Sequence, residues 1–185
     1  MSDLKLLEDM SAKMYVYDVL QGAWEQEPNG FEANAKHVLT HLSKDLILKD
    51  FTDAKVVREQ ITPDLIQYAV RLMRWSAQAV GAVEYPSTES EQLARIRGKY
   101  GVGTAHACYI AAIGVMAASL HDHDHSRIRE AAIEAAPAMA RQAAGFLLEA
   151  VRIQAESNNF DILTSFDNRL ASLRTRFGIP EPVKA

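Results

Sequence analysis

Apolar residues recur three or four apart along almost the whole chain, the spacing of one face of an α-helix. The densest such stretch opens at Thr62 and carries Leu65, Ala69, Leu72, Met73, Ser76, Ala79 and Val80 on one stripe. Thr62 suits an N-cap and Pro63 the first helical position, where a missing N–H costs nothing. The pattern predicts a helix from Thr62 to about Val83. Tyr68, Arg71 and Trp75, also three and four apart, form a second line on that helix, with the guanidinium between two large rings. That arrangement suits a planar ligand bearing a carboxylate. An internal ion pair from Arg71 to an acidic residue such as Asp64 or Glu91 is the structural alternative.

The same periodicity predicts helices on either side. Leu4, Leu7, Met10, Met14, Tyr17 and Gln21 make a stripe in a first helix that Glu27-Pro28-Asn29-Gly30 ends. A second runs from Phe31 to about Leu42. Its His37 and His41, four apart, share a face as a candidate axial ligand or metal pair, or as two half-exposed histidines, since one helical pair supplies at most two ligands. Asp45 to Phe51 is an apolar-rich connection or a short helix, and Asp53 to Ile61 is helical. Thr88 and Glu91 form a capping box for a helix that ends near Gly101, and Thr104 caps the next, Ala105 to Leu120. The latter is small and apolar on most sides. His121-Asp122-His123-Asp124-His125 reads as a solvated loop, or as divalent-metal ligands, with Ser126 capping the next helix. Pro137 kinks or splits the long segment to Asn158. Asp161 caps a last helix that Gly178 and Pro180 terminate. No strand pattern and no internal repeat appear, so the expectation is an all-α single domain of seven or eight helices over residues 1–185.

Composition narrows the picture. The 185 residues suffice for a proper core, and a net charge of −4 without a basic patch argues against nucleic acid. The N-terminus lacks a signal-peptide pattern and no run reaches eighteen apolar residues, which predicts a soluble, cytoplasmic chain with no membrane span. One cysteine, Cys108, excludes an internal disulfide. There is no phosphate loop, no dinucleotide fingerprint, no nucleophile elbow and no Glu-x-x-His pair. Nothing assembles a nucleophile, base and orienter, so the sequence reads as that of a non-enzyme.

The stretch Tyr68-Ala69-Val70-Arg71 with Trp75, followed by Leu93, Arg97-Gly98-Lys99-Tyr100, Gly103-Thr104-Ala105 and Val115-Met116, resembles the phycobiliprotein subunits. These are the bilin-carrying branch of the globin superfamily. The likeness covers Thr62 to Leu120; beyond it the chain is similar only in helix count and order. It implies a globin-like fold that binds a tetrapyrrole. The family's bilin-bonding cysteine falls on Thr62, which cannot form a thioether, and Asp64 stands one residue out of register for the carboxylate that meets the pyrrole nitrogens. What the resemblance then implies is non-covalent binding of a linear bilin, in biosynthesis, storage or light-related sensing, as in chromophore-cysteine-lacking relatives. The candidate ligand-binding residues are Lys55, Arg58, Asp64, Tyr68, Arg71, Trp75 and Tyr100. The alternatives are a haem-binding globin with His37 or His41 as axial ligand, and a ligand-free assembly module. Family subunits pair through their N-terminal helices. The apolar circumference of the first helix here, with Met10, Met14, Tyr15 and Tyr17, likewise predicts a homodimer, and the resemblance admits a bilin-pathway or phycobilisome-type partner.

Overall fold

A computed structural model describes residues 4–22, 30–125 and 129–181. Among the described residues the chain is all-helical, without a strand. Helices α1 (Leu4–Gln21), α2 (Gly30–Leu48), α3 (Ala54–Val56) and α4 (Thr62–Trp75) are followed by α5 (Glu91–Tyr100), α6 (Thr104–Asp124), α7 (Arg129–Asn158) and α8 (Ile162–Phe177). A π-helical turn, Val57–Ile61, joins α3 to α4, so the three form one continuous rod, and a short 3-10 turn, Val80–Ala82, lies in the connection to α5.

The centre of the fold is α4, which packs against α1, α2, α7 and α8. Every residue from Thr62 to Met73 is buried. Leu65, Ile66, Ala69, Leu72 and Met73 meet the apolar core, each large side chain worth roughly 1.5–3 kcal/mol of burial. The polar side of α4 is buried too, which is tolerable only because its groups are bonded. Thr62 Oγ1 donates to Gln154 Oε1 on α7 (3.0 Å), Gln67 Nε2 donates to Asp64 (3.2 Å), and Arg71 is held by Asp18 of α1.

Several local expectations are corrected. Thr62 is not an N-cap: the preceding residues are already helical, and its N–H donates five residues back to the Val57 carbonyl. Pro63 explains this wide turn. Its ring would collide with the carbonyl four residues earlier, and a π turn moves that carbonyl away. The Arg58 carbonyl thereby loses both helical donors, since Thr62 serves Val57 and Pro63 has no N–H. The Ser165 hydroxyl of α8 donates to it instead. The helix stops at Trp75 and does not reach Val83, because Ala77 takes a left-handed conformation (φ 55°). Ser90, not Thr88, caps α5 by accepting from Leu93 N–H.

The second helix runs past Leu42 to Leu48 and absorbs most of the expected connection. His121 to Asp124 are helical and extend α6 beyond Leu120; charged and imidazole side chains on an outer helix face need not break it. Pro137 lies inside a single α7, which it does not split. The caps by Asp161 and Gly178 are as expected. The break at Glu27-Pro28-Asn29 and the cap at Ser126 lie outside the described residues. Against the expectation that no segment could cross a membrane, α6 is long and apolar enough over Thr104–Asp122 by length and composition (mean hydropathy 1.3). In the fold its buried residues, Ala107, Cys108, Ala111, Ala112, Val115 and Met116 among them, belong to the core shared with α7.

Candidate functional site

A cleft of about 680 Å³ opens between α1, α2, α4 and α8, within the range of small-molecule sites. The sequence positions its lining. Helix α4 turns Asp64, Gln67, Tyr68 and Arg71 to one side, three or four apart, and α2 presents His37, His41, Lys44, Asp45 and Leu48 by the same periodicity. Helix α8 adds Arg169, Leu173, Arg176 and Phe177, and α1 adds Tyr17 and Gln21.

The ion pairs divide these groups into two kinds. Asp64 is saturated: Lys49 Nζ donates to Oδ2 (2.8 Å), Arg169 Nε and Nη2 donate to Oδ1 and Oδ2 (both 2.9 Å), and Gln67 takes a further place on Oδ1. Lys49 also bonds Asp45 (2.9 Å). Arg71 donates to both oxygens of Asp18, Nη2 to Oδ1 at 2.5 Å and Nε to Oδ2 at 3.2 Å. Arg74 reaches the same carboxylate from the far side. These pairs fix the walls. At the mouth stand Lys44, half exposed and 3.8 Å from Asp45, and Arg176, 5.3 Å from the Phe177 ring. Five cations line the cleft against Asp45 and Asp64, and Asp18 behind the wall takes Arg71, so the balance left at the mouth is positive and favours an anion. Its lip is apolar: Leu48 is 72% exposed and Phe177 53%.

The aromatic floor is uncharged. The His37 and His41 rings lie 4.4 Å apart and His41 lies 5.8 Å from Tyr68. Burial, helped by the neighbouring His41, Arg71 and Lys44, lowers the His37 pKa to about 4. Burial and Lys44 push His41 down as well, against the pull of Asp45 and Asp64. Burial and the nearby Asp64 and Asp45 carboxylates push the Tyr68 hydroxyl up, so it stays protonated. Two neutral imidazoles and a phenol then offer ring faces, acceptor nitrogens and an O–H donor.

Of the residues singled out in the sequence, Asp64, Tyr68, Arg71, His37 and His41 come together in this cleft. Arg71 makes the internal ion pair of the structural alternative, with Asp18 in place of Asp64 or Glu91. Arg58 lines an adjoining groove with Phe160, Asn168 and Ser172, where Gln60 and Arg169 are shared with the cleft, and it bonds Glu59 (3.0 Å). Lys55 and Tyr100 are exposed and Trp75 is half-buried; none of the three lines the cleft. Sequence reasoning missed Lys44, Lys49, Arg169 and Arg176. It also missed Asp18, for which there was a signal: it lies four residues after Met14, beside the buried stripe of α1, where a carboxylate requires a cation. Among the described residues, no group of three or more His, Cys, Asp or Glu side chains is placed to hold a metal ion. Comparisons with protein-family models, with curated proteins and with solved structures find no match.

Proposed function

We propose that this cleft holds a free linear tetrapyrrole, a bilin, without a covalent bond, in a fold of the globin type, and that the protein works by binding and not by catalysis. The observation that carries the reading is the pairing of an anion-favouring mouth with an apolar lip and an uncharged aromatic floor. A bilin has two carboxylates, a hydrophobic ring edge and polar pyrrole nitrogens, and each has a counterpart. Lys44 and Arg176 would take the carboxylates, Leu48 and Phe177 the ring edge, and His37, His41 and Tyr68 the pyrrole face. Asp64 has no acceptor position left for a pyrrole N–H, which argues for the imidazoles in that role. Arg71 and Asp64 then shape the wall. When bound, the group supplies the visible absorption; the chain supplies charge, fit and shelter from water.

Absorption titrations with biliverdin and with haemin test this. The expected result is a red-shifted, structured bilin band. The Lys44→Ala, Arg176→Ala double variant should weaken it about tenfold or more, as loss of charge-assisted hydrogen bonds worth roughly 1.5–3 kcal/mol requires. The pigment should also leave in acid denaturant, with no zinc-induced fluorescence of the band on a denaturing gel. No spectral change with either pigment overturns the proposal.

The neutral state of His37 and His41 favours one second reading, haem ligation, because only an unprotonated ring nitrogen binds iron. A sharp Soret band lost in His37→Ala or His41→Ala decides for it. Self-association belongs to the same proposal. Met10, Met14 and Tyr17 are buried in the core, but Leu4, Tyr15, Val16 and Leu20 of α1 remain exposed. Analytical ultracentrifugation at tens of micromolar should show a dimer; a monomer at every concentration rejects it.

A further inference from the structure

The end of α6 holds a second pair of histidines, His121 and His125, away from the cleft. Their rings lie 4.2 Å apart, as four-residue spacing on a helix allows. His125 is the C-cap, with extended backbone (φ −93°, ψ 106°), so its ring folds back along the last turn. Both Nδ1 atoms face oxygens that can only accept. His125 Nδ1 lies 2.9 Å from the His121 carbonyl, and His121 Nδ1 lies 3.2 Å from Asp122 Oδ1. A nitrogen facing such an oxygen must carry the proton, so in each neutral ring the lone pair falls on Nε2. Metal-binding histidines are held in the same way, with one nitrogen donating to a carbonyl or carboxylate and the other left for the metal.

Three further features favour a cation here. Both imidazoles are exposed, so an ion can reach them. The pair stands at the carbonyl end of a helix of 21 residues, where the helix dipole is negative. Asp122 and Asp124 add negative charge, of which Lys36 meets Asp124 at 3.5 Å.

We infer that His121 and His125 form a two-point site for a borderline divalent transition ion of the zinc, nickel and copper class. Both Nε2 atoms are ligands, and water completes the coordination. Imidazole pairs prefer such ions to magnesium or calcium, which take oxygen. The site is independent of the tetrapyrrole proposal and clamps the last turn of α6.

Titration calorimetry of the metal-free protein with Zn²⁺ alone, near neutral pH, tests the inference, with the histidine ring signals followed by NMR. One ion per chain is expected, with the His121 and His125 signals shifting first. His121→Ala and His125→Ala should each weaken binding at least tenfold, and His41→Ala should leave it unchanged. Circular dichroism of the variants checks folding. Absence of binding in the wild-type chain overturns the inference. So does binding that survives the His121→Ala, His125→Ala double variant, or a loss produced by His123→Ala or His41→Ala alone.

Discussion

Arg71 on α4 grips Asp18 on α1 through a two-pronged ion pair, and both side chains are almost wholly buried, at 7% and 2% exposure. The carboxylate sits between two guanidiniums, with Arg74 on its other side. The pair joins the first helix to the central one. Arg71→Ala would leave Asp18 buried with one partner in place of two and is expected to lower stability by about 3 kcal/mol, the low end for breaking a buried pair. Chemical denaturation measures this. Affinity of the folded remainder for biliverdin should change little, because the guanidinium is committed to Asp18; a selective loss of affinity with an unchanged melt would instead return Arg71 to the ligand.

Ser165 and Pro63 make a second expectation. The Ser165 hydroxyl serves the Arg58 carbonyl that the π turn strands. Ser165→Ala is expected to cost about 0.5–1.5 kcal/mol, the usual net worth of one hydrogen bond. In a Pro63→Ala background, residue 63 regains an N–H and the turn can tighten, so the same substitution should cost less. A double-mutant cycle reads the coupling directly, and additive effects would refute the account.

Gly145 of α7 touches the connection between α4 and α5. A Cβ there would lie 1.9 Å from the Glu84 carbonyl oxygen, a backbone atom that cannot swing aside. Arg141, one turn earlier, pins the same connection through Glu84 (2.8 Å) and Gln78 (3.0 Å). Gly145→Ala should therefore destabilise by about 3 kcal/mol or more, although alanine is the better helix former. Urea denaturation tests the sign: a neutral or stabilising result means the connection does not sit on α7.

His37 makes stability depend on pH. Its folded pKa of about 4 lies below the unfolded value of 6.5. Between those values the unfolded chain binds the extra proton, so stability rises with pH across the window and falls as pH drops from about 6.5 towards 4. His41, shifted the same way, adds to the slope. Thermal melts of the wild-type chain and of His37→Gln across pH 4–7 should lie closest near pH 7 and separate towards the acid end, where the wild-type chain loses more stability than the variant.

Periodicity made the helices legible because burial on one side repeats every 3.6 residues whatever the partner. It gave Tyr68, Arg71, His37 and His41 as same-face groups for the same reason. It was misleading at helix ends. Thr62 has the side chain of a cap, yet the residues before it are helical, and a hydroxyl that would cap a free end instead bonds Gln154. Ala77 breaks the helix in a left-handed conformation that alanine gives no sign of adopting. The charged half of the cleft was illegible because it is long-range. Arg169 meets Asp64 across 105 residues of chain and Arg71 meets Asp18 across 53. No local spacing encodes such a pair; only an ionisable group on an otherwise apolar stripe, as at Asp18, announces that a partner is needed.

Asp64 is where the order of events in folding is written. Lys49 and Gln67 are close to it in the chain, but Arg169 arrives from a helix made more than a hundred residues later. During synthesis α1 to α7 can emerge and begin to pack while one side of this carboxylate still lacks its guanidinium, and the wall of the cleft is incomplete until α8 docks. Closing so long a loop is slow compared with forming any helix. On the proposed reading of the cleft, a nascent chain halted before Asp161 should therefore be helical but unable to retain a bilin, and competence to bind should follow the docking of α8.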